Sequence, residues 1–236
     1  MLRRVKKILG FEIEANDGTI GVVKDVYFDD MCWHIQYLVV RAGSWRSGKE
    51  VLLSPANMQA TIDGDRKIIH VPINKEQVRN QPDVDTDKPI TKEKDVQLRM
   101  YYQWPLYWHN RSKKPIIESE AGGAAEQDKN SEEACNTNEA HLRSYMSVRS
   151  YHIEAVDGDV GTVFDFVFND ITWSFEYLVA STYQWLKRKK VLIPFGAIEV
   201  IEWKHQRIDV ALSRRDVKKR TPYKKSEGIA HSGRSH

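Results

Sequence analysis

FEIEANDGTIGVVKDVYFDDMCWHIQYLVV, residues 11–40, decides the fold because the chain repeats it: residues 151–180 read YHIEAVDGDVGTVFDFVFNDITWSFEYLVA. Extended to 11–58 against 151–198, the two stretches align at an offset of 140 without a gap and agree at 18 of 48 positions. That degree of ungapped identity within one chain marks a duplication. Two copies make a pair of domains rather than a solenoid, which needs at least three units, so two independent domains are expected. Positions kept in both copies serve the shared fold, and positions that differ are free to carry what is particular to each.

Each copy reads as a run of short strands. Segments 11–15 and 151–155 are strands, and Asp17-Gly18 and Asp157-Gly158 close tight turns because glycine supplies the positive φ that a hairpin needs. Strands follow at 20–29 and 160–169, where the apolar residues hold no single phase, so a bulge is expected near Gly21 and Gly161. Asp25 and Asp165 sit inside these apolar strands, and a structural hydrogen bond to a turn or neighbouring strand is expected of them. The next strand alternates cleanly: Trp33, Ile35, Tyr37 and Val39, with Trp173, Phe175, Tyr177 and Val179 in the second copy. Period-two alternation places these residues on one inward face. Leu38 and Leu178 interrupt the opposite face, which is therefore expected to be partly covered. Asp63-Gly64-Asp65 signals a further hairpin, and short helices are expected at 74–79 and 213–218.

These readings give a mostly β chain of two small barrels, each with a short C-terminal helix, joined by a flexible linker. Closure into a barrel is favoured because it removes exposed strand edges. The first barrel is placed at 1–82 and the second at 146–222. Between them lie an extension at 83–112, bearing Tyr101, Tyr102, Trp104, Tyr107 and Trp108, and a Gly-, Ala- and acid-rich linker at 113–145. A polar, basic tail fills 223–236. The aromatic segment has no counterpart after the second copy. It reads as a plug on the first barrel or as a partner site, since Tyr and Trp are enriched at interfaces.

Composition narrows the function classes. The two cysteines, Cys32 and Cys135, form no CxxC pair, which argues against a disulfide scaffold or zinc knot and for a reducing, cytoplasmic setting. No apolar run approaches the roughly 20 residues of a membrane span, and none follows the charged N-terminus as a signal peptide would require. Charge is uneven. The linker is acidic, and the C-terminal half gathers Lys187, Arg188, Lys189 and Lys190, then Lys218, Lys219 and Arg220, a candidate surface for a polyanion such as RNA or an anionic membrane. No histidine recurs between the copies, no metal-ligand spacing or phosphate-cradling loop is present, and Cys32 aligns with Thr172. Catalysis, cofactors and small-molecule ligands are not expected. Gly18, Gly21, Asp25, Trp33 and their partners Gly158, Gly161, Asp165 and Trp173 read as structural.

The shared pattern is Asp-Gly-x-x-Gly-x-Val-x-Asp, then Phe, Trp and Tyr-Leu-Val, and lastly a Val-Leu strand that ends at or just before a proline. It resembles the PRC-barrel, the domain of the cytoplasmic part of the photosynthetic reaction-centre H subunit and of the C-terminal part of a bacterial ribosome maturation factor. The resemblance covers about 1–82 and 146–222. It implies a cytoplasmic adaptor or scaffold that binds a protein partner. An RNA- or ribosome-associated role, or a peripheral place at the inner membrane in an electron-transfer complex, stands as the alternative.

Overall fold

The computed structural model describes residues 1–43, 49–85, 90–105, 142–182 and 189–223. The first part of the chain runs β1 (Leu2–Arg4), α1 (Val5–Ile8), β2 (Glu12–Ala15), β3 (Gly18–Asp29), β4 (Ile35–Ala42), β5 (Glu50–Leu53), β6 (Thr61–Asp63), β7 (Ile68–His70), α2 (Lys75–Arg79) and α3 (Lys92–Tyr102). The second runs β8 (Leu142–Ser144), α4 (Tyr145–Val148), β9 (His152–Ala155), β10 (Gly158–Asn169), β11 (Phe175–Thr182), β12 (Lys189–Pro194), β13 (Ile198–Glu202), β14 (Arg207–Val210) and α5 (Arg214–Lys219), with a 3-10 turn at Phe195–Ala197.

Apart from α3, the two parts repeat each other. One sheet has the order β5-β4-β3-β2-β7-β6 and the other β12-β11-β10-β9-β14-β13. Within each, the pairings are antiparallel except for β7 on β2 and β14 on β9, which are parallel. The long strands β3 and β10 coil because each carries a bulge one residue before the conserved glycine, at Ile20 and Val160, and another at Lys24 and Phe164. Gly21 and Gly161 are required by close strand approach: a Cβ there would lie 2.0 Å from the Arg41 carbonyl oxygen and 2.1 Å from that of Ser181. Gly18 and Gly158 take φ of +115° and +119°. In both copies the turn also starts a helix, because Asp17 accepts a hydrogen bond from the Lys75 backbone N–H at 2.9 Å and Asp157 one from that of Arg214 at 2.6 Å.

Three expectations are corrected. Among the described residues no strand pairing joins β5 to β6 or β12 to β13, so each sheet is a curled, open one rather than a closed barrel. The phase of β4 also differs. Tyr27 faces Tyr37 while Phe28 faces Ile35, which leaves Gln36 as an extra residue, and the side chains beyond it change face. Ile35, Leu38 and Val40 therefore enter the main core, and Tyr37 and Val39 lie on the opposite face. Trp33 and Trp173 precede their strands in left-handed backbone at φ +58°; Trp173 is buried and Trp33 partly so.

The third correction concerns independence. β1 pairs with β10 of the second sheet, and β8 pairs with β3 of the first. The exchange is reciprocal at the same offset: Leu2, Arg3 and Arg4 face Asn169, Phe168 and Val167, while Leu142, Arg143 and Ser144 face Asp29, Phe28 and Tyr27. This is the isologous pattern of a symmetric dimer, built inside one chain. The expected linker consequently ends before Leu142 rather than at 145. One hydrophobic core runs through both units, and Phe28 of the first meets Phe166 and Phe175 of the second at centroid distances of 5.9 and 5.3 Å.

Candidate functional site

At the seam, the two conserved aspartates hold the exchanged segments. Asp165 accepts hydrogen bonds from the backbone N–H groups of Lys6 (3.1 Å) and Phe166 (2.9 Å) and from the Tyr145 hydroxyl (2.9 Å), with Arg4 3.6 Å away. Asp25 does the same from the other side, accepting from Val26 N–H (2.7 Å), Met146 N–H (3.1 Å) and the Ser144 hydroxyl (2.5 Å). Each carboxylate thus caps the opening turn of the segment delivered by the other copy, rather than a turn of its own sheet. Burial pushes both carboxyls above the usual range, against the hydrogen bonds that favour ionisation. Outside them, Arg3 pairs with Asp170 at 2.6 Å and Arg143 with Asp30 at 2.8 Å. His34 and Ser174 form a bridge between the units, with Nε2 3.3 Å from Oγ, and burial lowers the pKa of His34. This constellation is adhesive: every carboxylate is engaged with a structural donor, and no cluster able to hold a metal occurs among the described residues.

The outer face of the first sheet, formed by Tyr27, Tyr37, Val39 and Leu52, is covered by α3. Thr91 caps that helix by accepting from Lys94 N–H at 3.4 Å. Its stripe of Asp95, Leu98, Arg99 and Tyr102 follows the i, i+3, i+4, i+7 spacing of one helical face and lies on the sheet. Asp95 accepts from the Tyr37 hydroxyl at 2.5 Å and from Arg99 Nε at 3.0 Å, while Arg99 Nη2 donates to Gln36 Oε1 at 3.0 Å and Nη1 to the Pro105 carbonyl at 2.8 Å. Of the aromatic candidates, Tyr102 and Trp104 stack at 4.4 Å and pack against the core, and Tyr101 is exposed with its hydroxyl on the Gln77 carbonyl. Tyr107 and Trp108 lie outside the described residues.

The corresponding face of the second sheet carries Val167, Tyr177, Val179 and Leu192, and no counterpart of α3 lies on it among the described residues. Phe164 and Tyr223 pack at its margin. Lys6 and Lys190 place their ammonium groups 5.5 and 3.4 Å from the Phe164 ring centroid, and Arg4 lies 5.2 Å over Tyr223. Tyr37 and Gln36 are 0% and 8% exposed beneath α3, whereas their counterparts Tyr177 and Glu176 are only half-buried.

Of the basic candidates, Lys189 reaches the Lys218 carbonyl at 3.4 Å, which joins the β12 and α5 groups. Lys218 and Lys219 line a shallow pocket with Arg214, Arg215 and Asp157; Arg220 ends α5, and Lys187 and Arg188 lie outside the described residues. The sequence reading missed the exchanged segments and α3. Leu2-Arg3 repeated as Leu142-Arg143 at the same offset signalled the first, and Thr91 before Lys92-Glu93, with Asp95 and Arg99 four apart, signalled the second.

No helix among the described residues is long and apolar enough to cross a membrane. No curated protein matches the chain. The family model of the PRC-barrel domain matches residues 2–78. That span runs from β1 through α2, and the second unit repeats its strand order. Residues 2–78 thus match the PRC-barrel domain, and the second unit repeats the same fold.

Proposed function

We propose that the protein is a non-enzymatic adaptor that binds protein partners at the margin of the second sheet's outer face, around Glu176 and Tyr177. One observation carries this reading: at equivalent positions Gln36 and Tyr37 are buried beneath α3, whereas Glu176 and Tyr177 are half-buried. Half-buried side chains beside cationic groups suit protein association better than chemistry on a small molecule, since the described pockets are lined mostly by charged side chains. The test is a photo-crosslinking residue at Tyr177 in the native cell, with the same residue at Tyr101 as control. The adaptor reading expects a discrete protein adduct at 177 only. Absence of any protein adduct at 177 removes it.

A second reading rests on the basic cluster of Lys189, Arg214, Arg215, Lys218 and Lys219. If it contacts RNA, binding should fall with salt at a logarithmic slope of about −0.7 per phosphate for a single strand. Lys218→Glu with Lys219→Glu should flatten the slope. Asp157 and Asp159 sit in the same pockets and weaken this reading, because they repel phosphate.

A further inference from the structure

Four buried positions around the seam differ between the copies, and all four differ in the same direction. The second copy has Tyr145, Phe166, Phe175 and Phe195, in mutual contact at centroid distances of 5.0 to 5.6 Å. At the equivalent positions the first copy has Val5, Val26, Ile35 and Pro55, also buried and none of them aromatic. Beside these the copies agree: Phe28 and Trp33 stack at 6.2 Å, and Phe168 and Trp173 at 5.3 Å. The aromatic cluster of the second unit crosses to the first at that pair. Phe28 meets Phe166 at 5.9 Å and Phe175 at 5.3 Å, and Trp33 lies 5.0 Å from Phe195. The polar contacts are unlike as well. Tyr145 donates its hydroxyl to Asp165, but its counterpart Val5 has none to return to Asp25. There Ser144 donates instead, from the position that Arg4 holds in the other segment.

We infer that the seam recognises unlike units: an aromatic wedge on the second fits a recess of smaller side chains on the first, so that a first unit accepts a second unit and neither accepts its own kind from another copy of this chain. Two second units joined across the same two-fold would bring twice as many of these rings as the seam holds, and overpacking forces core side chains off their rotamers. Two first units would bring none of them and leave voids, which a close-packed interior opposes. A pair of first units would also set Arg4 where Asp25 now receives Ser144. Mismatch therefore sets the pairing as much as match does. The inference does not depend on what binds around Glu176 and Tyr177.

Three full-length variants test it. Val26→Phe with Ile35→Phe puts a wedge on both units, Phe166→Val with Phe175→Ile puts a recess on both, and all four substitutions together exchange wedge and recess. Both double variants should unfold at lower urea than the parent. The fourfold chain, although it carries more substitutions, should recover at least half of the loss in midpoint. The two double variants, unfolded in urea and refolded as an equimolar mixture, should form a two-chain complex at the summed mass by light scattering, because each wedge finds a recess only in the other chain. Neither should form such a complex alone. A double variant that fails to fold by itself leaves the fourfold chain and the mixture to decide. Three results overturn the inference: a fourfold chain no more stable than the weaker double variant, a mixture without the two-chain complex, or a double variant with the midpoint of the parent.

Discussion

Asp165 is fully buried, and it is the group through which the second sheet grips the first segment of the chain. Asp165→Ala strands Lys6 N–H, Phe166 N–H and the Tyr145 hydroxyl, at about 1–3 kcal/mol for each donor that water cannot reach. Asp25→Ala strands Val26 N–H, Met146 N–H and the Ser144 hydroxyl, but Asp25 is less buried than Asp165 and Met146 is solvent-exposed, so it should cost less. Urea denaturation of the two variants decides this, and equal losses would contradict the burial difference. The titration of Asp165 gives an independent check. Its folded pKa lies above the ordinary 3.8, so the folded chain holds that proton to higher pH than the unfolded chain does. The stabilising contribution is fully present below the ordinary value and is lost as pH rises through the folded one. The stability advantage of the parent over Asp165→Asn should therefore widen on acidification from neutral. A narrowing advantage would mean that the hydrogen bonds outweigh burial. Gly161 adds a steric case: any Cβ meets the Ser181 backbone, so Gly161→Ala should cost roughly 1–3 kcal/mol, seen as a lower melting temperature.

At the scale of elements, α3 rests on a buried ion pair, and such pairs are asymmetric in what their loss does. Arg99→Ala leaves Asp95 buried without its cation and should cost about 3–5 kcal/mol, whereas replacing both with leucine or methionine should be far milder. A double variant as unstable as the single one would show that packing, not charge, seats the helix. The hairpins, the bulges next to Gly21 and Gly161 and the cap at Asn74 were legible because each depends on a few adjacent residues. The phase of β4 was not. One extra residue at Gln36 moves Tyr37 and Val39 to the other face, and only the partner strand reveals it. The half-covered outer face was foreshadowed by Leu38 and Leu178, but their true role is core, and the covered side is that of Tyr37. The repeat of Leu2-Arg3 as Leu142-Arg143 marks the segments 2–8 and 142–148, but that each pairs with the opposite copy was hidden for a related reason. Their buried residues, such as Leu2, Val5 and Ile8, meet partners more than a hundred residues away.

For the whole molecule, exchange and a shared core predict that the two units behave as one. Burying the three apolar side chains Leu2, Val5 and Ile8 contributes roughly 5–9 kcal/mol, and ordering the segment from 2 to 8 costs roughly 7–14 kcal/mol of backbone entropy. Apolar burial alone therefore does not dock it. Strand pairing with β10 and the Asp165 cap are needed to close the difference, and both belong to the other unit. Neither unit has a complete sheet without the segment of its neighbour, so calorimetry should record a single unfolding transition for the chain rather than two. The sharper test leaves the fold intact and cuts the connection. A protease site inserted between 106 and 141 allows the chain to be nicked after folding. The two halves should then co-elute at the mass of the whole chain by size-exclusion chromatography with light scattering. They should come apart more readily when Asp25 and Asp165 are both replaced by alanine, since those carboxylates cap the exchanged segments. Two halves that separate at once as folded monomers would mean that each closes its own sheet, and the reciprocal exchange would be wrong.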